Sequence, residues 1–148
     1  MKTVFDSSTR EELSARINSL HEHCHAQWGK MNVYQMLKHC TQWNDMMLGK
    51  MNVKRMFLGR LFGKSALKNV LKDDKPLGKN SPSAPELIIK EKTGDMVFQK
   101  AEWIKGIREY EHFDKSNFEH PFFGLMTKEQ VGQFVYKHHD HHLRQFGV

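Results

Sequence analysis

The sequence predicts an all-α fold: a four-helix bundle with a long crossover, containing a short amphipathic helix, between the second and third long helices. Three observations lead to it. Four long segments repeat their apolar residues at steps of three and four, the spacing of a helix buried on one face. Between the second and third of them runs a connection of some 40 residues, a long crossover of the kind that helix bundles carry. No segment shows a strand pattern with a partner to pair with, so a sheet is not expected.

Each element has its own justification. Ser8-Thr9-Arg10-Glu11 has the form of a capping box, and Leu13, Ile17, Leu20 and Cys24 follow as one apolar stripe until Gly29 breaks the pattern. Asn32-Val33-Tyr34-Gln35 opens a second helix, expected to reach about Gly49 with Met36, Trp43, Met46 and Met47 on one side. Residues 54 to 72 form a basic amphipathic piece interrupted by Gly59 and Gly63. Residues 73 to 94 hold Pro76, Pro82 and Pro85, with Gly78, Asn80 and several serines, and read as a connection. Glu86-Leu87-Ile88-Ile89-Lys90 within it could pass for a short strand, but without a partner. A third long helix is expected from Asp95 to about Phe113, with Val97, Phe98, Ala101, Ile104 and Ile107 facing inward. His120-Pro121-Phe122-Phe123-Gly124 reads as a tight aromatic turn. Thr127-Lys128-Glu129-Gln130 is a third capping box, opening a last helix to about Phe146.

Composition narrows the function classes. A chain of 148 residues with 39% hydrophobic and 27% charged residues fits one domain over 1–148, neither disordered nor membrane-embedded. No apolar run approaches the ~20 residues needed to span a bilayer. The start, Met1-Lys2-Thr3-Val4-Phe5-Asp6, lacks an apolar signal segment, so a cytoplasmic location is expected. Cys24 and Cys40 belong to no CxxC pair, which removes a thiolate zinc knuckle, and both are expected to act as small buried hydrophobes. Lys and Arg exceed Asp and Glu by 23 to 17. No nucleic-acid module accompanies that excess, so nucleic acid is not an expected partner.

Three histidines carry the chemistry. His138 and His142 stand one helical turn apart, and with His138 at zero, His142 falls at about 40° and Val131 at about 20°. Both therefore continue the core stripe of the last helix, whereas His139 and His141 fall on its flanks and Asp140 points away. The same count puts His39 between Trp43 and Met46 on the inner face of the second helix. Three inward imidazoles from facing helices could share one metal ion, leaving a position open for water or substrate, whereas a single histidine on an apolar face is more often a satisfied core residue. Without an ion, each buried ring would need partners for two nitrogens. His21 and His25 form a second HxxxH pair, expected at the end of the first helix, where imidazoles suit the negative terminus. His139 occupies the position where a zincin carries glutamate, so peptide hydrolysis by that route is not expected.

Several stretches are similar to a known family: Trp28-Gly29-Lys30-Met31-Asn32, Gln35 to Cys40, His120 to Gly124, Thr127 to Gln130, and Tyr136 to Gly147. Together they resemble the DinB-like (DinB/YfiT) superfamily of metal-binding four-helix bundles, in an uncharacterised branch of it. The resemblance implies one divalent ion, commonly zinc or nickel, held by a second-helix histidine and an HxxxH pair whose second member precedes a Gln by three residues. His39, His138 and His142 match those positions, with His142 standing three residues before Gln145. It also implies chemistry with low-molecular-weight thiols, as in a maleylpyruvate isomerase and S-transferases that use mycothiol or bacillithiol, and a fold that often forms a homodimer.

The resulting expectation is a metal-dependent enzyme acting on a small molecule by thiol transfer or hydrolysis, with His120 stabilising its turn rather than lining the pocket. The alternative is a non-catalytic helical binding protein working through residues 54 to 72. There Phe57, Leu58, Leu61, Phe62, Leu67, Val70 and Leu71 alternate with Lys54, Arg55, Arg60, Lys64, Lys68 and Lys72, and no acid intervenes. The apolar side is expected to pack over the bundle, which argues against a membrane surface as partner.

Overall fold

A computed structural model describes residues 1–148. Helices α1 (Ser7–Ser19), α2 (Val33–Met47), α3 (Phe57–Val70) and α4 (Met96–Glu109) are followed by strands β1 (Asn117–His120) and β2 (Gly124–Thr127) and by helix α5 (Lys128–Gln145). Single 3₁₀ turns lie at Pro85–Leu87 and Tyr110–His112. The molecule is mostly helical, with one small antiparallel sheet that the all-helical expectation did not include. Helix α2 lies along α4, α1 packs on both α4 and α5, and α5 also meets α2 and both strands. One apolar core joins them, with Ile17, Met36, Trp103, Ile107 and Val135 sealed from solvent.

Two of the three capping boxes form. The Asn32 side chain accepts from Gln35 N–H at 2.9 Å, and the Gln35 side chain accepts from Asn32 N–H at 3.1 Å. Thr127 and Gln130 make the same reciprocal pair at the start of α5. The box expected at Ser8 does not form, because α1 starts at Ser7 behind Asp6, whose side chain caps nothing. That helix also ends earlier than its stripe suggests. Lys100 Nζ donates to the carbonyls of Asn18 and Leu20 at 2.9 Å each, satisfying the last turn from a neighbouring helix. His21 and His25 consequently lie outside any helix and are exposed.

Helix α4 is rotated relative to its expected inner face. Val97 and Phe98 are 79% and 55% exposed, while Trp103 and Ile107, and Tyr110 just beyond, are fully buried. Val97 stands about 240° around the helix from Trp103, so one face cannot bury both. The indole prevails because its ring area is larger and its N–H finds a buried acceptor.

The strands bracket the expected aromatic turn and pair Asn117 with Thr127, Phe118 with Met126, Glu119 with Leu125 and His120 with Gly124. Phe118, His120 and Met126 are buried toward the core, while Glu119 and Leu125 face outward. Gly124 adopts φ +81°, a left-handed conformation that glycine takes without strain. His120 Nδ1 accepts from the N–H groups of Phe122 and Phe123 at 3.1 and 3.2 Å, so the ring closes the turn as expected.

Helix α3 reverses the expected arrangement. Its buried residues are Gly59, Gly63 and Leu67, and a β-carbon on either glycine would collide with the Phe122 carbonyl. The glycine face therefore lies flat on the hairpin turn. Phe57, Leu58, Leu61 and Phe62 are 58 to 73% exposed. No helix is long and apolar enough to cross a membrane.

Candidate metal centre

The sequence brings three imidazoles to the core side of α2 and α5, and the fold makes them converge. His39, His138 and His142 each offer a ring nitrogen, and these nitrogens all lie within 4.8 Å of one another. Ring centroids are 4.9 Å apart for His39 and His142, 4.7 Å for His138 and His142, and 5.6 Å for His39 and His138. All three side chains are more than nine-tenths buried.

The surrounding hydrogen bonds orient two of the rings. Gln145 Nε2 donates to the Trp28 carbonyl at 2.7 Å, which leaves its Oε1 to face His142 Nδ1 at 2.9 Å. An amide oxygen only accepts, so His142 carries its proton on Nδ1 and its lone pair on Nε2. His39 Nδ1 lies 2.9 Å from the Leu87 carbonyl, which selects the same tautomer. Leu87 belongs to the 3₁₀ turn in the crossover, where a short strand was conceivable from sequence. Instead of pairing as a strand, the segment is tied to α2 by Gln35 Nε2 donating to the Ile89 carbonyl at 3.0 Å.

His138 is held by packing. Its ring stacks on Trp43 at 3.7 Å with 6° between planes, and its buried Nδ1 has no hydrogen-bond partner. Burial is the main force lowering the pKa of each ring. For His138 and His142 neighbouring imidazoles add to it, and for His39 the Leu87 carbonyl partly opposes it. All three are thus neutral at neutral pH, the protonation state that ligates a metal. A buried His138 nitrogen without a partner, and two rings that each have Nδ1 committed and the other nitrogen free, fit a divalent cation.

The neighbouring histidine corrects the helical-wheel estimate. His139, expected on a flank, is fully buried between α2 and α4. Its Nδ1 accepts from Trp103 Nε1 at 3.1 Å, and its Nε2–H donates to Asn44 Oδ1 at 2.9 Å. Asn44 Oδ1 also accepts from the Tyr110 hydroxyl at 3.1 Å. Burial pushes the His139 pKa down to about 3, and both nitrogens are used inside the protein. A second grouping, Cys40 with His138 and His139, therefore lacks the donors it would need. The Cys40 thiol is kept protonated by burial and makes its hydrogen bond to Met36 Sδ, at 3.8 Å, rather than to either imidazole. Asp140, expected to point away, is also buried, with Arg16 at 2.9 Å and Arg144 at 2.7 Å. Both residues are covered because α5 has neighbours on more than one side, including α1.

Sequence reasoning assigned no structural role to Gln145, Leu87 or Asn44. Gln145 follows His142 by three residues and so shares its face, which is a usable signal. Nothing local marks the Leu87 carbonyl, since its position depends on the path of the crossover.

No curated protein and no solved structure matches this chain. A family model described as "Protein of unknown function (DUF1569)" matches residues 5–147. The chain belongs to the DUF1569 family.

Proposed function

We propose that this protein is a DinB-like four-helix bundle that binds one divalent ion, zinc or nickel, through His39, His138 and His142, and uses it in small-molecule chemistry in the cytoplasm. The observation that carries the reading is the convergence of three neutral, buried imidazoles from two helices to within 4.8 Å. Three protein nitrogens leave coordination positions available, the feature that separates a catalytic ion from a structural one. The arrangement of α1, α2, α4 and α5 around a common core supports the bundle assignment.

An ion in this site would supply positive charge that holds a thiol as its thiolate at neutral pH, or lowers the pKa of water. The chain's own residues do the rest. Leu87 and Gln145 fix the tautomers of His39 and His142, and Trp43 sets the plane of His138. Low-molecular-weight thiol transfer is the favoured reaction class, with hydrolysis as the second outcome of the same test.

The experiment is to load metal-free protein with zinc or nickel and titrate it with bacterial thiols, then with electrophilic and ester substrates. Metal-dependent thiolate absorption, or a thiol-dependent rise in melting temperature, is the expected result. Ester turnover without a thiol response would assign hydrolysis. Silence toward every thiol, electrophile and ester by the metal-loaded protein would overturn the enzymatic reading.

A further inference from the structure

We propose that the outward face of α3 docks on anionic phospholipid membrane. This inference is independent of the metal centre. It starts from an inverted amphipathic helix, in which the small residues are inside and the large apolar ones outside. Counting 100° per residue from Phe57, the buried Gly59, Gly63 and Leu67 fall at about 200°, 240° and 280°. The exposed Phe57, Leu61, Leu58 and Phe62 fall at about 0°, 40°, 100° and 140°, on the opposite side. A soluble surface seldom gathers two phenylalanines and two leucines in two successive turns without a use for them.

Charge identifies the occupant. Arg60 and Lys64 lie at about 300° and 340°, along one flank of the apolar patch, Lys68 stands at about 20° beyond the patch toward the C-terminal end of the helix, and Lys72 follows just past that end. All four are exposed. The only side-chain ion pair in the stretch 54–72 joins Arg55 to Glu119, and the stretch itself contains no acid. Large apolar side chains beside unneutralised cations form the pattern of a helix lying in an anionic lipid interface, apolar side in the acyl boundary and cations at the headgroups. A second copy fits poorly, because two-fold pairing would set this cationic row against itself. A peptide partner would need a groove, and a single convex helix face has none.

The test is co-sedimentation of the full chain with vesicles of phosphatidylcholine alone and of phosphatidylcholine with phosphatidylserine in equal parts. The expected result is pelleting only with the mixed vesicles, reversed by salt. Lys64→Gln with Lys68→Gln should weaken binding about 25-fold at low salt, about fivefold per cation. Leu61→Ser with Phe62→Ser should abolish it. Those side chains face solvent, and unchanged circular dichroism would show that the variants fold. Equal binding to phosphatidylcholine alone would overturn the proposal. So would failure to bind any vesicle, whether the protein is monomeric or forms a dimer that Leu61→Ser dissolves.

Discussion

Gln145 is the most informative residue to change around the three histidines. It is 4% exposed and spans two groups, donating to the Trp28 carbonyl and accepting from His142. Gln145→Leu keeps much of the side chain's bulk but removes both hydrogen bonds. His142 then loses the acceptor that fixes its proton on Nδ1, and its ring gains freedom to rotate or change tautomer. Losing such an outer partner of a metal-binding histidine typically lowers metal affinity about 10- to 100-fold, or about 1.4 to 2.7 kcal/mol. The stranded Trp28 carbonyl adds a separate loss of folding stability of about 1 to 3 kcal/mol. The two effects separate if zinc affinity is measured by competition with a chromophoric chelator well below the melting temperature. Gln145→Glu provides the internal control: its carboxylate again accepts from His142, so affinity should largely recover, while repulsion at the Trp28 carbonyl keeps stability low. An affinity within about twofold of the unaltered protein for Gln145→Leu would refute the argument that this side chain orients His142.

Further outcomes follow from the core and the hairpin. Asn44→Ala strands the buried His139 N–H and the Tyr110 hydroxyl together, so urea unfolding should show a loss of about 3 kcal/mol or more. Zinc stoichiometry should not change, and a loss under about 1 kcal/mol would contradict the network. Acid should destabilise the metal-free protein. His120 and His139 are neutral in the fold, each with its pKa pushed down to about 3 from 6.5, so the unfolded chain takes up the protons first. Their stabilisation is complete above the unfolded value and is lost as pH falls from about 6.5 toward 3, at about 2 kcal/mol per histidine by about pH 5. A urea midpoint that stays flat between about pH 7 and pH 5 would count against this. Gly63→Ala should loosen α3 despite a helix-propensity gain of about 1 kcal/mol, because its β-carbon meets the Phe122 carbonyl. Faster amide exchange in α3 would show it, and slower exchange would contradict the packing.

Periodicity and capping made much of this fold legible. Asn32 and Thr127 announce α2 and α5 because each cap is a local event, decided within four residues. The end of α1 was not legible, since the group that satisfies its last carbonyls is Lys100, some 80 residues away. The hairpin was missed because each strand is only four residues long and is stabilised by its burial against α5 and by His120 closing the turn. In α3 the glycines were read as interruptions, whereas they form the buried face. Only the close approach of the Phe122 backbone, invisible in a one-dimensional pattern, makes small residues preferable there. The three histidines were legible because wheel positions place side chains well on a single core-facing stripe. His139 and Asp140 were not, because a helix with several neighbours buries its flanks as well.

If His39, His138 and His142 act as one ligand set, removing any one of them releases the ion. Elemental analysis of untagged protein, after equilibration with zinc and removal of excess, tests it most directly. One ion per chain is expected, lost in each of His39→Ala, His138→Ala and His142→Ala but kept in His21→Ala and His25→Ala. Zinc-free protein, or an ion that survives all three core substitutions, would contradict it.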